Sequence, residues 1–316
     1  MCLFKVLNSR FPSRRNSIGR LWSLAEVVDT FAEAFNLWMS RILITAKNEK
    51  WARTAASVST GFATSAIACP CEAGIDKEVA ASETPDGRPG VIVMFCASKK
   101  KLERVLIDRI GQCILTCPTT AVFDALGEEP ELTYDTGNKM KYFGDGFQKK
   151  GEVAGRTVYR IPVMEGEFII EKDFGAKKGV AGGNFFILAE TEEQGLAAAE
   201  SAAEAIQKID KVILPFPGGI CRSGSKVGSL KYKFMQATTN QKYCPTLKGQ
   251  IEDSELPDEV NSVYELVING LTLDLVKQAM AAGIKTAINM PGVKKITAGN
   301  YGGELGKHFI YLKELL

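Results

Sequence analysis

Histidine is almost absent from this sequence: among its 316 residues, only His308 can supply an imidazole. A metal centre with two or three histidine ligands is therefore excluded within one chain. A nucleophile that depends on a histidine base would have to use this single residue near the C-terminal end. We therefore expect any chemistry to rest on carboxylates, hydroxyl groups and backbone donors.

Long apolar runs and a strong net charge are also missing. The longest apolar run, Val91 to Ala97, is far shorter than the roughly 20 residues that span a bilayer. The formal net charge is only +2, with 24% charged and 45% hydrophobic residues. This balance gives no electrostatic reason to expect a nucleic acid or a membrane as partner. The composition predicts a soluble, cytoplasmic protein.

The eight cysteines do not indicate a disulfide framework, because a chain of this length folds without one. Reduced and mostly buried thiols are the simplest interpretation. The alternative is a four-thiolate metal site made of Cys69, Cys71, Cys113 and Cys117. Neither spacing is the C-x2-C of zinc knuckles, so we expect no metal site.

The first 25 residues carry five basic side chains and no acidic one. A transit peptide has this composition, and so does a disordered extension or a start codon assigned too early. No apolar stretch follows that would make the segment a secretory signal. We expect residues 1–23 to be a disordered extension.

Two stretches share the order strand, helix, strand, strand, helix, strand. In the first, we predict strands at 41–46, 62–68, 91–97 and 112–117, helices at 48–60 and 99–110, and a loop at 72–89. In the second, we predict strands at 184–190, 211–214, 263–269 and 293–297, and helices at 191–208 and 272–282, the latter stopped by Gly283. Extra antiparallel strands are predicted at 139–143, 156–163 and 167–171.

This duplication predicts an α+β fold, a duplicated ferredoxin-like α/β sandwich with two βαββαβ lobes. The predicted lobes are residues 24–164 and 165–316. A ferredoxin-like sheet carries helices on one face only, yet Val91 to Phe95 is apolar on both faces. We expect another sheet, from the other lobe or from another subunit, to cover the second face.

Eight segments, in order along the chain, resemble the formylmethanofuran:tetrahydromethanopterin formyltransferase family. They are Asp29–Phe35, Glu83–Gly90, Arg109–Cys113, Phe143–Gly146, Gly179–Phe185, Pro215–Gly219, Val263–Gly270 and Ala298–Gly303. None is a general motif such as a lone Gly-x-Gly. The departure from the family is the segment 1–23, which the family does not have.

The resemblance implies reversible transfer of a formyl group from formylmethanofuran to an amine of tetrahydromethanopterin. It implies that no metal and no prosthetic group is bound. It also implies a homotetramer whose active sites lie at subunit contacts.

Formyl transfer between two nitrogens passes through a tetrahedral oxyanion and requires proton management at each nitrogen. Glu265 is the candidate for the proton transfers. Strand alternation places Val263, Glu265 and Val267 on one face, so the carboxyl should be desolvated and its pKa raised. Gly270 ends the strand and should leave the carboxyl near a rim. The alternative is a solvated glutamate on an open sheet face, and the resemblance favours the catalytic role.

The loop 215–229 is the best candidate for substrate binding. Its glycines let backbone N–H groups approach a ligand, and Arg222, Ser223, Ser225 and Lys226 add donors suited to acidic groups. Asn300 and Gly302, in a second glycine-rich turn, are further candidates. The alternative for both segments is a solvent-exposed turn.

Two other functions compete with this interpretation. Duplicated ferredoxin-like sheets also occur in non-catalytic proteins that bind small ligands or RNA, but the aromatic pattern of an RNA-recognition sheet is missing here. A hydrolase with Cys69 or Cys117 as nucleophile would need His308 as its base.

Overall fold

The computed structural model describes residues 24–316 and, before them, the backbone of two short strands that pair antiparallel, Arg14–Arg15 (β1) and Leu21–Trp22 (β2). The predicted disordered extension, residues 1–23, otherwise lies outside the described residues.

Fourteen further strands and five α-helices follow in the described part of the chain. The strands are β3 Glu26–Val27, β4 Phe31–Thr45, β5 Glu72–Val79, β6 Gly90–Ala97, β7 Ala121–Asp124, β8 Leu132–Tyr134, β9 Lys149–Val153, β10 Arg156–Val163, β11 Gly166–Glu171, β12 Phe174–Ala189, β13 Val212–Ile213, β14 Ser262–Gly270, β15 Val293–Thr297 and β16 His308–Tyr311. The helices are α1 Glu49–Thr60, α2 Lys99–Arg109, α3 Thr136–Met140, α4 Glu192–Ile206 and α5 Leu273–Ala287.

Two sets of four strands have the same order. In the first set, β4 lies between β7 and β6, and β5 flanks β6. In the second set, β12 lies between β15 and β14, and β13 flanks β14. All of these pairings are antiparallel. The predicted α+β class is confirmed: a large sheet with few helices.

The strands β4 and β12 join the two sets into one sheet. Residues 35–39 of β4 pair antiparallel with residues 177–181 of β12. Helices α1 and α2 pack on the first set, and α4 and α5 pack on the second, each pair closing its own hydrophobic core. Both cores therefore lie on the helical face of a shared sheet.

The second face of β6 is covered by the same chain, as one of the two predicted arrangements requires. All eight residues of β6 are buried. Met94 and Cys96 contact Met39 and, from the other set of strands, Ile213 and Leu271. The extra strands predicted at 156–163 and 167–171 are confirmed as β10 and β11, which pair with each other.

Helix starts are set by side-chain caps. Asn48, Thr191 and Thr272 each accept a hydrogen bond from the backbone N–H three residues later, which satisfies a donor that the helix leaves open. The predicted end of α5 at Gly283 is wrong, since the helix runs to Ala287. Gly283 is instead a contact point, because a Cβ there would lie 2.8 Å from Ile206 and Phe185.

Three predicted strands are wrong. Residues 112–117 continue α2 through a π-helical turn, because Ile110 and Ile114 are buried at helical spacing. Residues 139–143 end α3 and form a 3₁₀ turn that leaves Tyr142 and Phe143 exposed. Residues 62–68 form turns, and the strand that follows α1 is β5, which lies inside the predicted loop 72–89. The polar side chains of β5 interrupt the apolar alternation by which a strand is recognised in a sequence.

Two alternatives considered for the cysteines, a metal site and a nucleophile, concern Cys69, Cys71, Cys113 and Cys117. No group of three or more His, Cys, Asp or Glu side chains in the described residues is arranged to hold a metal ion. The Cys69 thiol pairs with the Thr64 hydroxyl, and Cys117 donates to the backbone of Trp51. His308 is hydrogen-bonded to Asn36 instead of to a thiol.

In the part of the chain that the structure describes, the longest helices have 15 residues, and no helix has the length and apolar character to cross a membrane.

An ion pair buried within the first half of the molecule also contacts the second half. Arg41 on β4 donates to Asp76 on β5 at 2.7 Å, and their side chains are 4% and 0% exposed. The second oxygen of Asp76 accepts from the backbone N–H of Lys211, just before β13. Burial outweighs the attraction of Arg41 and raises the pKa of Asp76. Removing only one partner of this pair should therefore lower the stability of the fold strongly.

We expect Arg41→Ala to lower the free energy of unfolding by about 3 to 5 kcal/mol, because Asp76 would stay buried without its counter-ion. Arg53→Ala is the matched control, since it breaks an ion pair whose side chains are 56% and 55% exposed and should cost at most about 1 kcal/mol. Urea unfolding of both variants measures the difference. Equal losses would show that the buried pair is no more costly to break than the exposed one.

Candidate functional site

Strand β14 presents two chemically different faces. Leu266 and Ile268 lie in the core under α4 and α5, and Tyr264 packs against that core. Glu265 and Val267 face the other way, as the predicted alternation requires. Across the sheet, Glu265 pairs with Phe186 of β12, and on its open side it exchanges two backbone hydrogen bonds with Cys221. The loop 215–229 is thereby fixed against the sheet at Glu265.

The Glu265 carboxyl is buried, at 2% exposure. Its Oε1 accepts a hydrogen bond of 2.5 Å from the Ser225 hydroxyl, while its Oε2 is buried without a partner. Burial raises the pKa of Glu265 to about 7, against the opposing effect of hydrogen bonds from Ser225 and Cys221. The predicted desolvation is confirmed, but the carboxyl lies behind Ser225 and not at an open rim. Such a group can both release and accept a proton near neutral pH.

The loop after Cys221 brings only some of its predicted residues to a cleft. Lys226 donates to the side chain of Gln241 at 2.6 Å and lines the same cleft as Ser225. Arg222 and Ser223 are exposed on the loop and line a small cavity beside Glu265.

Glu33 of β4 fixes the second glycine-rich segment. Its two carboxylate oxygens accept hydrogen bonds from four backbone N–H groups, those of Tyr301, Gly303, Leu305 and Gly306. Burial works to raise the pKa of Glu33, but these four donors together lower it. The carboxylate therefore stays ionised and acts as a clamp for the loop.

Asn300 serves the same loop. Its amide group donates to the Thr30 hydroxyl and the Phe31 carbonyl, and its carbonyl oxygen accepts from the N–H of Gly302 at 3.1 Å. Gly302 adopts a φ of +72° with open space around it. Asn300 thus shapes the turn while also lining a cleft, and Gly302 supplies the left-handed conformation that the turn needs.

Tyr301 joins the two loops. Its backbone N–H donates to Glu33 at 2.6 Å, and its hydroxyl donates to the carbonyl of Ser225 at 3.1 Å. Glu33 and Tyr301 are not among the site residues predicted from the sequence. The only available signal was a charged residue inside an otherwise apolar strand, because the partners of Glu33 are about 270 residues away.

Two clefts, each of about 510 Å³, lie on either side of Ser225 and Tyr301. We name the first the polar cleft. Its polar lining includes Asp29, Asn184, Ser225, Lys226, Asn240, Gln241, Lys242, Tyr243, Glu255, Thr297 and Asn300, so that two acidic side chains balance the two lysines. We name the second the apolar cleft. Its lining includes Glu33, Phe35, Leu37, Ile67, Glu72, Ala181, Phe216, Val267 and Leu305. Four residues border both clefts: Asn184, Ser225, Val227 and Tyr301.

This arrangement suits a reaction between two bound molecules. Ser225 is the one described residue that both faces the two clefts and contacts the Glu265 carboxyl. A hydroxyl in this position can pass a proton between a buried carboxyl and a group bound in either cleft. Holding two reactants on either side of one hydroxyl also makes their reaction effectively unimolecular.

Comparison with known proteins matches both halves of the chain. Residues 22–163 match the family model described as formylmethanofuran-tetrahydromethanopterin formyltransferase, and residues 166–315 match the one described as FTR, proximal lobe. The formyltransferase of Methanocaldococcus jannaschii is 59% identical over 92% of this chain and 97% of its own length. That of Archaeoglobus fulgidus is 55% identical over 92% and 98%.

Solved structures agree with the sequence matches. The formylmethanofuran:tetrahydromethanopterin formyltransferase from Methanosarcina barkeri has a TM-score of 0.89 and 53% identity, over 92% of this chain and 98% of that one. The formyltransferase/hydrolase complex from Methylorubrum extorquens, solved with methylofuran, gives 0.87 and 46%, over 92% and 96%. These matches give no support to a non-catalytic ligand-binding protein. The chain belongs to the formylmethanofuran–tetrahydromethanopterin formyltransferase family.

Proposed function

We propose that this protein transfers a formyl group reversibly from formylmethanofuran to an amine of tetrahydromethanopterin. The observation that carries the proposal is the Glu265–Ser225 pair between two clefts of equal size. Each cleft falls within the range of about 300 to 1,000 Å³ that ligand sites occupy. One coenzyme in each cleft would place both reacting nitrogens beside the same hydroxyl.

The reaction needs one proton to move between two nitrogens. The pterin amine attacks the formyl carbon, and the carbonyl electrons move to oxygen to give a tetrahedral oxyanion. When this intermediate collapses, the bond to the methanofuran nitrogen breaks and its electron pair stays on that nitrogen. The attacking nitrogen loses a proton and the departing one gains it. Glu265 accepts and returns this proton through Ser225.

The binding roles follow from the two loops. Lys226 and Arg222 contribute positive charge for acidic parts of a coenzyme, and Ser223 and Ser225 contribute hydroxyl donors. Asn300 and Gly302 shape the turn along the polar cleft. Lys226 is the strongest member of the set, because it lies in the cleft lining with a fixed orientation toward Gln241.

The chain is further proposed to be a duplicated ferredoxin-like protein with lobes at 24–164 and 165–316. The identical strand orders in the two halves support the duplication. The family matches, which change over between residues 163 and 166, support the boundary. Within this proposal the enzyme binds no cofactor and works in the cytoplasm, and its carboxyl and hydroxyl groups suffice for the proton transfer.

A homotetramer with sites at subunit contacts is also proposed. Four large apolar side chains of one loop support it: Leu230, Tyr232, Phe234 and Met235 are between 42% and 82% exposed. Surface patches of this kind usually mark an interaction site. Leu230 also lines the polar cleft, so a second subunit that binds to this loop would complete the cleft wall.

The function is tested with purified protein and both coenzymes. We expect formyl-tetrahydromethanopterin to form from formylmethanofuran, before and after treatment with a chelator. Absorbance of the product measures the rate. No transfer with either preparation would reject the function, and loss on chelation that metal restores would reject the cofactor-free reaction.

Glu265→Gln is expected to lower kcat by about 10² to 10⁴, because the amide keeps the size of the side chain but cannot exchange the proton. Glu252→Gln, an exposed glutamate before β14, is the matched control and should leave kcat unchanged. Steady-state kinetics with both coenzymes saturating compares them. Near-normal kcat in the Glu265 variant would make this residue structural.

Stability against pH shows whether the Gln variant is folded and whether Glu265 is desolvated. The folded pKa of about 7 lies above the ordinary value of 4.5, so wild-type stability should fall as pH rises between these values. The variant lacks this loss, which is about 3 kcal/mol at most. Its unfolding free energy should therefore depend less on pH in this window.

Changing both Arg222 and Lys226 to Ala is expected to raise KM more than it lowers kcat, because such contacts serve ground state and transition state alike. The matched control is the double change of Lys100 and Lys101 to Ala, which removes the same charge from exposed positions of α2, far from both clefts. Kinetics with each coenzyme varied in turn separates the constants. An unchanged KM for both coenzymes would contradict these binding roles.

A further inference from the structure

Two cysteine thiols line the small cavity beside Glu265. Cys221 pairs with Glu265 at the edge of the sheet, so their side chains lie on the same face. Cys244 reaches the cavity from the segment 240–244, which packs on that face through an aromatic contact to β12, with 4.6 Å between ring centroids. The cavity has a volume of about 30 Å³, and the two thiols therefore border one narrow space.

Cys221 is bound to Glu265 through its backbone and its side chain. Each backbone N–H donates to the carbonyl of the other residue, at 2.8 and 3.1 Å. Burial raises the pKa of the Glu265 carboxyl to about 7, and hydrogen bonds from Ser225 and from the Cys221 thiol oppose the rise. A reaction at the Cys221 sulfur therefore removes a donor from the carboxyl.

The two thiols differ in accessibility. Cys221 is buried, at 2% exposure, whereas Cys244 is half-buried and hydrogen-bonded to the backbone carbonyl of Asn240 at 3.3 Å. Burial, and then the charge of Glu265, raise the pKa of Cys221 to about 11. Because the thiolate is the nucleophile in disulfide exchange, Cys244 reacts first and Cys221 follows.

The two cysteines also lie at the base of the loop that serves the clefts. Residues 222–243 lie between them and include Ser225 and Lys226. Ser225 donates to Glu265 and borders both clefts. A covalent bond between the ends of this loop therefore acts on the residues that join Glu265 to the clefts.

We propose that Cys221 and Cys244 form a dithiol modification site, and that its oxidation by a small-molecule disulfide stops formyl transfer. Three observations carry the proposal: the shared cavity, the contact of Cys221 with Glu265, and the position of both cysteines at the base of one loop. Formation of the disulfide does not depend on the proposed function, but its effect on catalysis rests on it.

The exchange proceeds in two steps. The Cys244 sulfur attacks one sulfur of the small disulfide, whose S–S bond breaks; one half stays bound to Cys244, and the other half leaves as a thiolate. The Cys221 sulfur then attacks the Cys244 sulfur and displaces the second half. The two leaving thiolates take up the two protons that the cysteines lose. The cysteines are thus oxidised to a disulfide, and the small disulfide is reduced to two thiols.

The disulfide changes the surroundings of Glu265. Its two Cβ atoms must lie about 3.8 Å apart, so the Cys221 side chain turns toward Cys244 and no longer donates to the carboxyl. We expect kcat to fall by about 10- to 100-fold, the effect of a hydrogen bond to a charged group. KM for both coenzymes should change less, because the walls of the two clefts keep their residues.

The test treats purified protein with oxidised glutathione and measures kcat and the masses of proteolytic peptides. Wild-type protein should form the Cys221–Cys244 disulfide, lose activity and recover it with a dithiol reductant. Cys244→Ser keeps a donor for the Asn240 carbonyl, so it should be fully active before treatment and remain active after it. Cys69→Ser, which removes another half-buried thiol, is the matched control and should be inhibited like wild type.

The outcomes separate the modification site from the function. Peptide masses without the Cys221–Cys244 disulfide overturn the site, and this result comes from wild-type protein even where a variant fails to fold. Full activity of the bridged protein, or protection by Cys69→Ser instead of Cys244→Ser, overturns the effect on catalysis. Wild-type protein that transfers no formyl group before treatment rejects the proposed function, and the peptide masses then still decide whether the dithiol site exists.

Discussion

The antiparallel pairing of β4 with β12 is the constraint on which the rest of the structure depends. These two long strands each belong to one half of the molecule, and their shared hydrogen bonds merge both halves into one sheet. Just beyond the pairing, the register of β12 against β14 shifts between Val180 and Gly183. Gly182 takes a φ of +86° there and donates to Asn269. The bulge opens the sheet where the two clefts meet, so the site follows from the joint between the halves.

Much of the second half could be predicted from local sequence signals. The capping pattern at Thr191 and Thr272 predicts the starts of α4 and α5. The alternation of β14 places Glu265 on the face away from the helices. These signals are local, because a cap needs a partner three residues away and an alternating strand carries its own pattern.

The parts that escaped prediction depend on distant partners. β5 was predicted as a loop because Glu72 and Asp76 break its apolar alternation, and Asp76 is buried only through Arg41 and Lys211. Glu33 is a charged residue in a largely apolar strand, and only its hydrogen bonds from the loop 299–306 explain its presence there. No sequence pattern indicates the role of Tyr301, because that role comes from hydrogen bonds that join two loops. Long-range polar contacts leave no periodic pattern in the sequence.

Three glutamates of the site show how position decides the chemistry of one residue type. Glu33 has four donors and stays ionised, whereas Glu265 has one unpartnered oxygen and a pKa of about 7. Glu72 lies between these extremes, with two donors and a raised pKa. A chain with one histidine thus holds three carboxyl groups whose pKa values differ because their burial and their hydrogen-bond donors differ.

The clamp at Glu33 also makes the loop 299–306 sensitive to acid. A carboxyl whose folded pKa is lowered contributes stability above its ordinary pKa, and this contribution disappears as pH falls through the folded value. Protonation would place a hydrogen on one oxygen of Glu33 and weaken its hydrogen bonds from the backbone of this loop. Tyr301 belongs to the loop and donates to Ser225, so the contact between the two loops should weaken in the same pH range.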